Sequence, residues 1–122
     1  MGEGKRKVIL LVEDDLALLE ALEIMLKDRY DVVKATNGME AVKIYSRIKP
    51  DLVLTELVMP EMDGIKVTEE ILRMDPNAKI VGITAYYLSK EKELMQAGAR
   101  EVLEKPFTRK KLIEVIEKYL SS

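Results

Sequence analysis

The stretch Asp51-Leu-Val-Leu-Thr-Glu56-Leu-Val-Met-Pro60-Glu-Met-Asp-Gly64 decides how this chain folds. Leu52, Val53 and Leu54 are apolar without alternation, the pattern of a central strand covered on both faces. Pro60 and Gly64 forbid a simple continuation of that strand. Glu56 therefore stands where a buried strand gives way to a loop. In open α/β sheets the crevice outside such strand ends is where ligands bind.

Working outward, the flanks repeat a strand-helix alternation. Residues 1–6 are a polar lead-in, and Lys7 to Val12 read as a buried strand that runs into Glu13-Asp14-Asp15. Leu16, Leu19, Leu22, Met25 and Leu26 then recur at helical spacing. Asp31 to Ala35 form a second strand, and Asn37-Gly38 a turn. Val42, Tyr45 and Ile48 stripe a second helix that stops before Lys49-Pro50, because a residue preceding proline avoids helical angles. Beyond the central stretch, Asp63 caps a third helix with Val67, Ile71 and Met74 inward. Ile80 to Thr84 are a fourth strand. Ser89 caps a fourth helix with a thin apolar face, closed by Gly98. Val102-Leu103 belong to a short fifth strand ending at Lys105-Pro106, and Thr108 caps a last helix striped by Leu112, Ile116 and Leu120. Repeated strand-helix units with short connections imply an α/β fold, a parallel sheet with helices on both faces, in a single domain over residues 1–122.

Composition narrows the chemistry. The 122 residues are 48% hydrophobic and 34% charged, with 20 basic against 22 acidic side chains and a formal net charge of -2. That balance makes no case for nucleic acid or an anionic membrane as partner. There is no Cys and no His, so chemistry falls to carboxylates, Lys, Thr or Ser. No apolar run reaches membrane-spanning length and the start has no apolar signal region, so the expected location is cytoplasmic.

In a parallel sheet every strand's C-terminal end lies on one edge. Here those ends carry Glu13-Asp14-Asp15, Glu56, Thr84 and Lys105. Carboxylates without His or Cys suit a hard divalent ion such as Mg2+. A Lys and a hydroxyl opposite such an ion are the parts needed to hold phosphoryl oxygens. Taken singly, Asp15 is equally a helix cap, Thr84 an ordinary strand terminus and Lys105 a solvated charge. Their joint placement, each at the same edge of a different strand, favours a site.

These segments resemble the receiver domain of two-component response regulators over essentially the whole chain. The resemblance is carried by Val12-Glu13-Asp14-Asp15, the central stretch from Asp51 to Gly64, Ile83-Thr84-Ala85 and Glu104-Lys105-Pro106-Phe107-Thr108. It implies a flavodoxin-like sheet of strand order 2-1-3-4-5. It implies Mg2+ held directly by Asp14, through water by Glu13, and by Glu56 and the backbone carbonyl of Val58. Thr84 and Lys105 would contact a phosphoryl group, and the Lys105–Pro106 bond would be cis. As a phosphorelay signalling module rather than an enzyme, it would take as partners a sensor histidine kinase or phosphotransfer protein, docking near the active-site edge and the first helix. A downstream output protein would use the face of helix four, strand five and helix five, where Ile113 and Tyr119 are either contact residues or ordinary packing.

Two positions depart from the family pattern. Where the family places the Asp that accepts phosphate, this chain has Glu56, which either natural drift or an engineered exchange would produce, the retention of every other active-site part favouring the exchange. One added methylene moves the carboxylate by roughly an ångström, enough to cost on the order of a hundredfold in rate. It also carries the charge toward Thr84 and Lys105, as a partial mimic of the phosphorylated state. The expectation is impaired or mimicked phosphorylation; the alternative is a phosphorylation-independent pseudo-receiver that acts as a binding module. A carboxylate-nucleophile phosphohydrolase would need a substrate cap that these short loops do not offer. At Val102 the family usually carries an aromatic, so switching here would rest on the Thr84–Ser89 loop and the fourth helix, with Tyr86 and Tyr87 as the moving side chains.

Overall fold

The computed structural model describes residues 5–85 and 89–122, with the side chain of Ser89 left out. Strands β1 (Val8–Val12), β2 (Asp31–Ala35), β3 (Leu52–Glu56), β4 (Ile80–Thr84) and β5 (Glu101–Glu104) alternate with helices α1 (Leu16–Leu26), α2 (Gly38–Ile48), α3 (Gly64–Met74), α4 (Ser89–Ala97) and α5 (Arg109–Leu120). All four strand pairings are parallel, and the sheet order is β2-β1-β3-β4-β5. This is the flavodoxin-like order, with its switch point between β1 and β3.

Two apolar layers cover the sheet, and strand alternation sorts side chains between them. Ile9, Leu11, Leu52, Leu54, Val81, Ile83 and Leu103 pack against Leu19, Leu22 and Leu26 of α1 and Leu112, Val115 and Ile116 of α5. Leu10, Val12, Val53 and Ile80 point the other way, onto Ala41 and Tyr45 of α2 and Val67 and Ile71 of α3. Each fully buried aliphatic side chain contributes roughly 1.5–3 kcal/mol by leaving water. A smaller cluster of Leu57, Leu94 and Ala99, with Val102 beside it, seats α4. Leu94 is the one buried side chain among those described in that helix.

The helix ends follow the residues expected to cap them. Asp63 accepts from the Lys66 amide at 3.0 Å and Thr108 from the Lys111 amide at 3.0 Å. Gly98, at φ 117, closes α4 in the left-handed region where a side chain is strained. Asn37-Gly38 is not a free-standing turn, however. The Asn37 carboxamide caps α2, accepting from the Glu40 amide at 2.8 Å, and Gly38 is the first helical residue. Gly38 is required by proximity, since a Cβ there would lie 2.7 Å from Met62 Cγ. Three stripe residues expected inward are exposed: Leu16, Ile48 and Met74, at 66%, 45% and 46%. Each sits at the end of its helix, where the helix has passed the sheet's rim and no layer remains to cover it. Among the described residues no helix is long and apolar enough to cross a membrane.

Candidate functional site

Alternation along the strands brings three charged groups together. Glu13 follows Ile9 and Leu11 at two-residue steps, Glu56 follows Leu52 and Leu54, and Lys105 follows Leu103, so all three emerge toward the α1/α5 layer at the same edge. The Lys105 ammonium donates to Glu56 Oε1 and also lies 3.4 Å from Glu13 Oε1. Glu13 and Glu56 are buried, with side chains 2% and 7% exposed, while Lys105 keeps 21% of its surface in water.

Glu56 has more partners than the ammonium. Its Oε2 accepts from the backbone amides of Leu57, at 2.8 Å, and Val58, at 3.0 Å. The Leu57 N–H is shared with the Ile83 carbonyl at 2.9 Å. The loop after β3 is thus folded around the Glu56 carboxylate. Gly64 closes it: its amide donates to the Leu57 carbonyl at 2.8 Å, and a Cβ there would stand 2.5 Å from the Glu56 carbonyl oxygen.

Electrostatics are uneven across the cluster. Burial pushes the Glu13 carboxyl up to about 7, with the Glu56 charge adding to the rise, against the pull of the Asp15 amide and Lys105. Burial works against the charged Lys105 as well, but Glu56 and Glu13 outweigh it and hold the ammonium above its ordinary value. Among the described residues one cation therefore faces two buried carboxyl groups, and Glu13 gains a proton around neutral pH.

The other residues singled out in the sequence take distinct places. Asp15 is the α1 cap, accepting from the Ala17 and Leu18 amides at 3.0 and 3.3 Å, and its own amide donates to Glu13 Oε2 at 3.1 Å. Asp14 lies exposed between these two. Thr84 is fully buried at the end of β4, and its carbonyl accepts from the Lys105 amide at 2.8 Å. Val58 is 47% exposed on the loop, and the Lys105–Pro106 bond is cis. Among the described residues, no three carboxylates converge into a ready-made metal cage. Tyr86 and Tyr87 lie outside the described residues. Ile113 and Tyr119 pack against the α1/α5 core layer, and the Tyr119 hydroxyl contacts Glu101 Oε1 at 2.7 Å and the Arg100 carbonyl at 3.2 Å.

The sequence reading missed two features. One is the clamp of the Leu57 and Val58 amides on Glu56, which no residue pattern announces, because any residue supplies a backbone amide. The other is a groove of about 260 Å³ beside Lys105, lined by Leu18, Leu22 and Met25 of α1 with Pro106 and Phe107.

Comparison with known proteins agrees with this architecture. The family profile of the response regulator receiver domain matches residues 9–117. The chain is 40% identical over 119 residues to the chemotaxis protein CheY of Thermotoga maritima, covering 94% of this chain and 97% of that protein. It is 33% identical over 114 residues to sporulation initiation phosphotransferase F of Bacillus subtilis, covering 92% of each. Among solved structures, the receiver domain of a sensor histidine kinase from Pseudomonas aeruginosa, with a magnesium ion coordinated in its active-site cleft, superposes with a TM-score of 0.90 at 31% identity, over 96% of this chain and 99% of that one. With the fold, the strand-end charges and these matches in agreement, the chain belongs to the response regulator receiver domain family.

Proposed function

We propose that this receiver domain serves in phosphorelay signalling with Glu56 in the position of the phospho-acceptor. In this reading Glu56 accepts a phosphoryl group poorly and stands in for it. The observation that carries the reading is the convergence of Lys105 and the Leu57 and Val58 amides on the Glu56 carboxylate. A group that must attack phosphorus needs a free oxygen lone pair in line with it. Here three donors already engage the carboxylate, the ammonium on one oxygen and two amides on the other, so in-line attack has to compete with these bonds.

Mg2+ is the ion this donor set suits, because the chain offers oxygen ligands and no His or Cys. Mg2+ keeps several waters and takes one or two carboxylates, so a closed cage is not required. Glu13, Asp14, Glu56 and the Val58 carbonyl would hold it, and when bound it would neutralise charge on phosphoryl oxygens. Thr84 and Lys105 would then face those oxygens, with Lys105 already drawn to this point by two carboxylates. The phosphodonor would be a histidine kinase or phosphotransfer protein meeting the strand-end edge beside α1. An output protein would read the α4, β5 and α5 face.

The test is exposure to a small phosphodonor with Mg2+, followed by intact mass. The expected result is little adduct on this chain and ready labelling of Glu56→Asp. Rapid stoichiometric labelling at Glu56 would overturn the reading. The clamp also favours a second possibility, a phosphorylation-independent binding module. In that case Glu56→Asp would stay unlabelled while Mg2+ titration gave no response.

A further inference from the structure

The chain has seven Met and no Cys, so its sulfur chemistry is that of thioethers. A peroxide oxidises a thioether that it can reach. Two of the methionines meet at one place. Met39, in the first turn of α2, is 59% exposed, and Met62, in the loop between β3 and α3, is half-buried. With Asn37, Gly38, Pro60 and Glu61 they line a cavity of about 110 Å³, room for a molecule only slightly larger than water.

Met62 is also a wedge between two elements. A Cβ on Gly38 would lie 2.7 Å from Met62 Cγ and 2.9 Å from Met62 Cβ, so the stem of Met62 meets the first turn of α2 without slack. The Met62 amide donates to the Pro60 carbonyl at 2.8 Å, closing a three-residue turn whose middle residue, Glu61, takes φ 66. A residue with a side chain is strained there, and such a turn persists only where its surroundings hold it. Met62 is where this turn leans on α2. Val58 stands earlier on the same loop, and its amide holds Glu56 at 3.0 Å. Met59, by contrast, is 7% exposed and packs into the α2/α3 layer.

We infer that Met62, with Met39 beside it, is a modification site for small hydroperoxides, and that oxidation of Met62 displaces the loop between β3 and α3. The thioether sulfur attacks one peroxide oxygen. An S–O bond forms, the O–O bond breaks, and the second oxygen leaves as water after proton transfer. Sulfur gives up two electrons and the peroxide takes them. The product is a polar, chiral sulfoxide in place of a flexible apolar chain. Against Gly38 there is no slack for it, so the stem withdraws and the turn at Glu61 loses its support. Met39 is oxidised as well, but it lies on the open side and its oxidation leaves the loop in place. What the displaced loop does to signalling rests on the reading of Glu56 given above; the oxidation site does not.

The experiment treats the full chain with hydrogen peroxide, follows each methionine by peptide mass, and follows the Gly38 and Val58 amide resonances over the same time course. The expected result is that Met39 and Met62 gain one oxygen atom ahead of Met59, and that both resonances shift at the rate of Met62 oxidation. Met62→Leu, a swap that nearly conserves volume, should abolish the shift, and Met39→Leu should keep it. Met62→Gln, a polar stand-in for the sulfoxide, should show the shift without peroxide. Methionine sulfoxide reductases for both epimers should return the oxidised chain to its starting spectrum. The comparison of rates uses the unaltered chain, so it decides the matter even where a variant does not fold. The inference is overturned if Met62 is oxidised no faster than Met59, if Val58 stays in place while Met62 is oxidised, or if Val58 shifts equally in Met62→Leu. Phosphodonor labelling of Glu56→Asp is a separate measurement, so a failed oxidation site and a failed phosphorelay reading give different results.

Discussion

Replacing Lys105 by Met keeps an unbranched, space-filling side chain beside Leu18, Leu22 and Phe107 while removing the cation that Glu13 and Glu56 share. Two carboxylates, 2% and 7% exposed, are then left facing each other. Stranding one member of a buried ion pair costs roughly 3–5 kcal/mol. Lys105 is itself one-fifth exposed, and water screening of that end reduces the expected loss to about 2–4 kcal/mol. For a chain of 122 residues, each kcal/mol moves the thermal midpoint by about 4 °C, so the midpoint should fall by roughly 8–16 °C. Urea unfolding at pH 8 measures the same quantity directly. Adding Glu56→Gln to Lys105→Met removes one stranded charge and should recover part of the loss, a coupling visible in the double-mutant cycle. A loss below about 0.5 kcal/mol, or no recovery in the double variant, would refute the claim that the Lys105 ammonium offsets the charge buried at Glu13 and Glu56.

Three further outcomes follow from packing and capping. Gly64→Ala would place a Cβ 2.5 Å from the Glu56 carbonyl oxygen, against backbone that cannot yield, and should cost roughly 1–3 kcal/mol while shifting the Val58 amide resonance. Arg109 holds both Asp28 oxygens at 3.1 Å and the Met25 carbonyl at 2.9 Å; with both side chains well exposed, Arg109→Ala should cost about 1 kcal/mol or less, fall further in high salt, and speed amide exchange in the last turn of α1. The Tyr45 hydroxyl donates to Asp75 at 2.7 Å. This bond and the Asn77 amide hold the Asp75 carboxyl below its ordinary 3.8, so its contribution is present above pH 3.8 and lost as pH falls through the lower folded value. Burial, reinforced by Asp75, raises the Tyr45 phenol above its ordinary 10, so that contribution is present below pH 10 and lost as pH rises beyond it. Tyr45→Phe should flatten both limbs of the stability-versus-pH curve, and an unchanged acid limb would count against the contact.

The order of strands and helices was legible because burial on both faces leaves an apolar run that polar loops interrupt, as at Lys7 to Val12 and Leu52 to Leu54. The caps were legible because Asp63 and Thr108 offer a side-chain oxygen just before an apolar stripe. Leu16, Ile48 and Met74 misled because hydrophobic spacing says which side of a helix they occupy, not whether the sheet extends far enough to cover that end. The meeting of Glu13, Glu56 and Lys105 was legible in two features of the sequence. Strand ends fixed the edge, and two-residue parity with Ile9 and Leu11, Leu52 and Leu54, and Leu103 also fixes the layer. The backbone clamp on Glu56 was not legible, since its donors carry no sequence signature.

The clamp gives Glu56 two properties that pull in opposite directions. Glu56 reaches Lys105 with one oxygen and the following amides with the other. An Asp on the same backbone would set its carboxylate back by about one carbon–carbon bond, roughly 1.5 Å. It cannot satisfy the ammonium and both amides at once, so at least one charge-assisted bond, worth roughly 1.5–3 kcal/mol, is weakened. Glu56→Asp should therefore be less stable without metal by about 1–2 kcal/mol, and faster to take up phosphate by on the order of a hundredfold because an oxygen is released for in-line attack. Urea unfolding in chelator and an intact-mass time course with a small phosphodonor measure the two effects on the same preparation. A variant both more reactive and more stable would mean that the three donors do not hold Glu56 in place, and that the difference in labelling comes from reach alone. Lower stability with no gain in labelling would mean the opposite: the clamp is real, and the position has ceased to be an acceptor for reasons beyond one methylene.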